Sequence, residues 1–212
     1  SFGWGRPVNS LIWDRVGLTM TVTLVTTVFI WIVAFPIGIY SAVRQYSIGD
    51  YIATFFGFIG LATPNFLLGL VLLYLGIRFF DMSVGGLLSP EYIGQPLSFG
   101  KIIDFLSHLW IPVVILGTAG TAGLIRIMRA NLLDELHKPY VVTARAKGVP
   151  ERRVLMRYPV RVAMNPFVST IGWTLPSLVS GSIIVSIVLN LPTTGPMLFQ
   201  ALQQQDMYLA GS

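Results

Sequence analysis

Few residues in this sequence have types that could carry chemistry, and their spacing does not make a catalytic site. Cysteine is absent from all 212 residues, which excludes a disulfide, a thiolate metal ligand and a cysteine nucleophile. A long apolar segment separates the two histidines, His108 and His137, and we predict that they lie on opposite sides of a membrane. No serine therefore has a suitable histidine base, and the apolar segments contain no paired carboxylates. We predict a chain that is not an enzyme and binds no cofactor or metal.

One segment superficially resembles a phosphate-binding loop, which would hold a nucleotide. Residues 94–102 read GQPLSFGKI. Gly94 stands one residue too far from the Gly100-Lys101 pair, and Ile102 replaces the hydroxyl residue that would hold magnesium. If ATP drives this protein, we expect another subunit to hydrolyse it.

The elements that must position any functional residue are apolar helices. Hydrophobic residues make up 54% of the chain and charged residues only 11%, a balance typical of a membrane protein. About 20 uncharged residues suffice for a helix to cross the bilayer. The uncharged runs predict an all-α membrane helix bundle with four visible spans, at about 16–43, 51–77, 109–125 and 166–189.

The distribution of lysine and arginine predicts how these spans are oriented. Nine of the 14 basic residues fall between Arg126 and Arg161, which points to a local cause and not to nucleic acid. We therefore place the loop 126–165 in the cytoplasm and the weakly charged loop 78–108 outside. The ends of the chain then also lie outside, which predicts a fragment that lacks one span before residue 1 and one after residue 212.

The residues within the spans favour a passive conduit for solute over a transporter driven by coupled ions. No ionisable residue lies within their uncharged cores, which argues against a proton-coupled pump. Proline occurs in three spans, at Pro36, Pro64 and Pro176, where we expect kinks or unwound turns. The small residues of 117–123 are typical of close helix packing.

The cytoplasmic loop has the most specific local pattern. Apolar periodicity continues from the third span to about Pro139, so we expect that helix to project into the cytoplasm. A short helix is predicted next, at 140–147, with Gly148 as a left-handed cap, followed by a second helix at 151–158. We expect the first short helix to expose Tyr140, Val141 and Ala144 to a partner.

These residues resemble the cytoplasmic loop of the dipeptide/oligopeptide/nickel permeases of ABC importers. The resemblance lies in YVVTARAKG at 140–148, ERRVLMRY at 151–158 and Asn165-Pro166. It extends over essentially the whole chain, through further segments at 5–12, 36–44, 50–51 and 63–69. The Glu of the general importer motif is absent, because Val142 occupies its place, and the later Ile-x-Leu-Pro is replaced by YPVR at 158–161.

The resemblance implies a channel-forming subunit in the bacterial inner membrane, with six spans in the whole subunit and one permease domain covering 1–212. It implies these partners: a second homologous permease, two ATP-binding subunits that carry ATP and Mg, an external solute-binding protein, and membrane lipid around the permease. It also implies a coupling helix that contacts the ATP-binding subunit through Tyr140, Val141, Thr143, Ala144, Arg145, Ala146, Lys147 and Gly148.

Peptides or peptide-like solutes are the favoured cargo, and two alternatives stay open. The first is nickel or another small solute, since the family that the chain resembles spans both. The second is a membrane scaffold whose basic loop recruits a cytoplasmic partner without moving solute. For the basic loop itself, a further interpretation is that its cations only set the topology and contact anionic lipid.

Overall fold

A computed structural model describes residues 7–80, 86–92, 96 and 98–211. Regular secondary structure in this part of the chain is entirely helical, in agreement with the predicted fold class. A short 3-10 turn at Pro90–Tyr92 accompanies the α-helices α1 (Val8–Val43), α2 (Ile48–Ala62), α3 (Asn65–Phe80), α4 (Phe99–Leu136), α5 (Pro139–Ala146), α6 (Glu151–Arg157), α7 (Pro159–Ala163), α8 (Asn165–Val188), α9 (Thr194–Gln203) and α10 (Met207–Ala210).

Two of the described helices, α1 and α4, are each long and apolar enough to cross a membrane. The pair α2 and α3 would supply a third crossing if the two are taken as one broken span. The kink or unwound turn predicted at Pro64 is confirmed by a break after Ala62, within the predicted span 51–77. Thr63 is extended there, with φ −82° and ψ 121°, because a residue before proline avoids the helical region and Pro64 has no N–H to donate. By contrast, α1 continues as a helix through Pro36, and α8 continues through Pro176.

Helix α4 is longer than its predicted span, 109–125. It has 38 residues, or about 57 Å at ~1.5 Å per residue, against a hydrocarbon core of ~30 Å. Its continuation to Leu136 confirms that the helix extends beyond the predicted span, and the cytoplasmic side of this extension stays a prediction. Its first turns begin at Phe99, so they occupy the end of the segment 78–108, for which we predicted a loop. The segment 94–102 lies partly outside the described residues.

The chain divides into two compact units, and the first comprises the described parts of Ser1–Thr26, Pro64–Leu116 and Pro176–Ser212. Its core is aliphatic and includes Leu109, Ile115 and Val185. Helices α9 and α10 belong to this unit and were not predicted. Asp206 begins α10 by accepting a hydrogen bond from the backbone N–H of Leu209 at 3.2 Å.

The second unit comprises Thr27–Thr63 and Gly117–Leu175. Small residues bring α1 and α4 close together, as predicted for 117–123. A Cβ placed on Gly117 would lie 2.7 Å from the Phe29 ring, and one on Gly120 would lie 2.8 Å from Ile30. Larger residues at either position would push the helices apart. This unit also contains the loop 126–165, where the candidate site lies.

Candidate functional site: the α5–α6 hairpin

The α5–α6 hairpin, residues 138–158, follows directly after α4. Lys138 has an extended backbone, with φ −70° and ψ 146°, so α4 does not continue into the next helix. Pro139 then opens α5 at its first helical position, where its missing N–H is no loss and its fixed φ suits the helix. The predicted short helix at 140–147 is confirmed, with bounds one residue earlier at each end.

Gly148 ends α5 in the left-handed conformation, with φ +74°, as predicted. The N–H of Gly148 donates to the carbonyl of Arg145 at 2.9 Å, and the N–H of Val149 donates to the carbonyl of Ala144 at 3.3 Å. These two bonds form a Schellman cap, which satisfies the last carbonyls of the helix and reverses the chain toward α6. Glycine is favoured there because other residues meet a steric penalty at positive φ.

The interior of the hairpin is formed by Val141, Ala144 and Val154, with Val149 packed beside them. Val141 and Val154 are fully buried and Ala144 is 8% exposed. The expectation that Val141 and Ala144 are exposed is therefore wrong. Residues three apart share one helical face, and the chain reversal at Gly148 turns this face onto α6.

The opposite face of α5 is exposed. Of the predicted contact residues, Tyr140, Thr143, Arg145, Ala146, Lys147 and Gly148 all lie on the surface. Val142 also lies there, with 56% of its surface exposed, although it was not among the predicted contacts. Its spacing of four from Ala146 was the signal in the sequence, because positions i and i+4 share a helical face. The two form a small apolar surface flanked by Lys147.

Two polar contacts tie the hairpin to itself and to α4. Arg145 donates two hydrogen bonds to the Glu151 carboxylate, at 3.1 and 2.6 Å, and so bridges α5 and α6. The Arg145 hydrogen bonds hold the pKa of Glu151 below its usual value, so the carboxylate stays ionised at neutral pH. The Tyr140 hydroxyl donates to the Glu135 carboxylate at the end of α4. Burial, the largest cause, and this hydrogen bond to Glu135, the second, together raise the pKa of Tyr140 to about 12, so the phenol stays protonated.

A cavity of about 750 Å³ lies in the same unit, between α1, α2 and α4. Its walls are mainly apolar and come from Phe29, Val33, Pro36, Ile37, Tyr40, Gly49, Ile52, Ala53, Phe56, Gly57, Thr118, Thr121, Ala122 and Ile125. Within the described residues, no three His, Asp or Glu side chains are grouped so that they could hold a metal ion.

Long apolar helices and a capped hairpin in the basic loop between α4 and α8 define a multi-span helical membrane protein. The chain belongs to the family described as "Binding-protein-dependent transport system inner membrane component", which matches residues 34–210. This finding confirms the resemblance drawn from the motifs of the loop, and it places the chain in the inner membrane.

Several relatives carry names from peptide transport. The chain is 38% identical to the oligopeptide transport system permease protein AppB of Bacillus subtilis, over 95% of this chain and 62% of the relative. It is 30% identical to the dipeptide transport system permease protein DppB of Escherichia coli, over 91% of this chain and 61% of the relative. The oligopeptide transport system permease protein OppB of Mycobacterium tuberculosis is also 30% identical, over 95% and 63%. The chain thus spans somewhat less than two thirds of the length of these relatives.

Proposed function

We propose that this chain forms part of the channel of an ATP-binding-cassette importer that carries peptides or peptide-like solutes inward across the bacterial inner membrane. The observation that carries the proposal is the α5–α6 hairpin, a capped element with its own small buried core that follows the long helix α4. The names of the relatives favour peptide over nickel, because they describe oligopeptide and dipeptide transport.

The hairpin is the proposed contact for an ATP-binding subunit, and its exposed face refines the predicted set of residues. Val142 and Ala146 form the centre of this contact, with Tyr140, Thr143 and Lys147 around them. The small apolar centre suits insertion into a groove on the partner. The hydrogen bonds and buried contacts within the hairpin resist deformation, so a displacement of α5 is transmitted to α4. The partner subunits supply the ATP and Mg chemistry, and a second permease completes the channel.

The test of this function is isolation of the complex in mild detergent followed by uptake measurements in proteoliposomes. We expect an ATP-binding subunit and a second permease to co-purify with the full-length protein. Uptake of a radiolabelled oligopeptide mixture should require ATP inside the vesicles, in those vesicles whose ATP-binding subunits face the interior. A proton gradient should not replace ATP, because the four predicted spans carry no ionisable residue in their cores. Uptake driven by a proton gradient without ATP would contradict the proposal.

The proposed orientation makes a second prediction, which uses the absence of native cysteine in this chain. Single cysteines at Ser98 and Arg152, both exposed, should react with a membrane-impermeant maleimide from opposite sides of the membrane. Arg152 serves better than its neighbour Glu151, which is paired with Arg145. In intact spheroplasts only the cysteine at position 98 should be labelled, and lysis should expose the other. Labelling of both in intact spheroplasts would reverse the assignment of the loop 126–165.

A further inference from the structure

The turn between α1 and α2 is folded around one carboxylate, that of Asp50. Tyr46 adopts a left-handed conformation with φ +60°, and its N–H donates to Asp50 Oδ2 at 3.0 Å. The N–H of Asp50 in turn donates to the Ser47 hydroxyl at 3.3 Å, which caps the start of α2. The carboxylate therefore holds the turn and the first residues of α2 in one conformation.

Asp50 also pairs with an arginine on α4 that lies 79 residues away in the sequence. Arg129 donates from Nε to Oδ1 at 3.1 Å and from Nη2 to Oδ2 at 3.0 Å. This two-point geometry matches the planar guanidinium to the planar carboxylate and fixes orientation as well as distance. The Asp50 side chain is 4% exposed, so water cannot readily replace its partner.

The position of this pair is informative because it lies between the hairpin and the cavity. Arg129 is seven residues before the end of α4 at Leu136, which is roughly 10 Å along the helix. On the other side, Gly49 and Ile125 line the cavity of about 750 Å³. Arg129 itself lines a smaller adjoining cavity of about 220 Å³, together with residues of α2 and α4 that include Ala53 and Gly57.

We propose that Asp50 and Arg129 are positioning residues that make the α1–α2 turn move together with α4. A displacement of the α5–α6 hairpin then reaches α1 and α2, whose side chains form much of the cavity wall. This inference rests on the proposed function, because it needs an ATP-binding subunit to displace the hairpin. Apolar packing of α1 on α4, such as Gly38 against Met128, resists separation, but a bidentate ion pair also resists sliding of the turn along α4.

The test follows the distance between the α1–α2 turn and the residue directly after the end of α4 in the complete importer. Spin labels are attached to cysteines at Gln45 and His137, both exposed, with the partner subunits made cysteine-free. Pulsed electron paramagnetic resonance then measures the distance between the two labels in the nucleotide-free complex and in the complex trapped by Mg-ATP and vanadate. In the otherwise unchanged protein we expect one narrow distance that moves by less than about 2 Å on trapping.

Asp50→Asn keeps the shape of the side chain and removes its charge, and Arg129→Lys keeps the charge and removes the two-point geometry. In both variants we expect trapping to change the distance by about 5 Å or to broaden it into two populations. The matched control is Asp134→Asn, the same substitution at an exposed position of α4, which should behave like the unchanged protein.

Unchanged distances and widths in both variants would overturn the inference. Reduced yield of both variant complexes, with unchanged distances in what remains, would also overturn it, because the pair would then serve stability alone. Failure of the proposed function is recognised separately, since the unsubstituted protein would then not assemble with an ATP-binding subunit or take up peptide under ATP.

Discussion

The substitution Ala146→Arg is expected to weaken binding of the ATP-binding subunit at least tenfold while the α5–α6 hairpin stays folded. Ala146 lies on the exposed face of α5, and arginine is a good helix former, so the helix tolerates the change. The bulky cation would, however, stand beside Val142 at the centre of the proposed contact. A tenfold loss corresponds to ~1.4 kcal/mol, a modest cost for burying a misplaced charge at an interface. Binding is measured by titrating the ATP-binding subunit onto the permease in nanodiscs.

Ala144→Arg is the matched comparison, with the same new side chain two residues earlier in the sequence. Ala144 is buried against Val141 and Val154, so this variant should open the hairpin itself. Hydrogen exchange distinguishes the two results: amides of α5 and α6 should lose protection in Ala144→Arg and keep it in Ala146→Arg. Normal subunit binding by Ala146→Arg would remove the exposed face of α5 from the proposed contact. Unchanged protection in Ala144→Arg would contradict the packing described above.

Gly148→Val is expected to have the second large effect, through the backbone alone. No atom outside Gly148 and its two chain neighbours lies within 4 Å of a Cβ built on Gly148, so the Cβ itself meets no steric obstacle from the rest of the protein. Its φ of +74° is nevertheless a conformation that a β-branched residue avoids, at a cost of ~1–2 kcal/mol. We expect the Schellman cap to open and ATP hydrolysis to lose its stimulation by solute, because α6 no longer holds α5 in place. The measurements are hydrogen exchange of the hairpin and peptide-stimulated ATP hydrolysis by the complex.

Gly148→Asn is the control for this prediction, since asparagine visits the left-handed region more readily than most residues other than glycine. It should retain most of the stimulation. Equal losses in Gly148→Asn and Gly148→Val would show that the absence of a side chain matters at this position, and the conformational argument would fail. Wild-type behaviour of Gly148→Val would mean that the cap does not contribute to coupling.

Local patterns explain why much of the cytoplasmic segment could be predicted. Pro139 fixes its own φ and Gly148 permits a left-handed φ at little cost, so α5 could be placed before its surroundings were known. The long uncharged runs predicted the apolar helices for a similar reason, because the cost of a charge in lipid acts on each residue independently. The family followed from the same loop, and the match over residues 34–210 confirmed it.

Other features depended on contacts between distant residues. Val141 and Ala144 looked like an exposed face because α5 alone has no interior, and only the reversal at Gly148 brings Val154 against them. Periodicity shows which residues share a face, but it does not show what will cover that face. The same limit explains why Val142 was left out of the contact set.

The sequence by itself determined the class of the protein, the apolar helices and the cap of α5, because each follows from the chemistry of single residues or near neighbours. Tertiary structure alone decided that Asp50 pairs with Arg129. From the sequence alone, Asp50 and Arg129 are each interpreted as an ordinary charged residue near the edge of a predicted span. A bidentate bond needs both side chains within about 3 Å and in matched planes, and no local pattern encodes a distance across two helices.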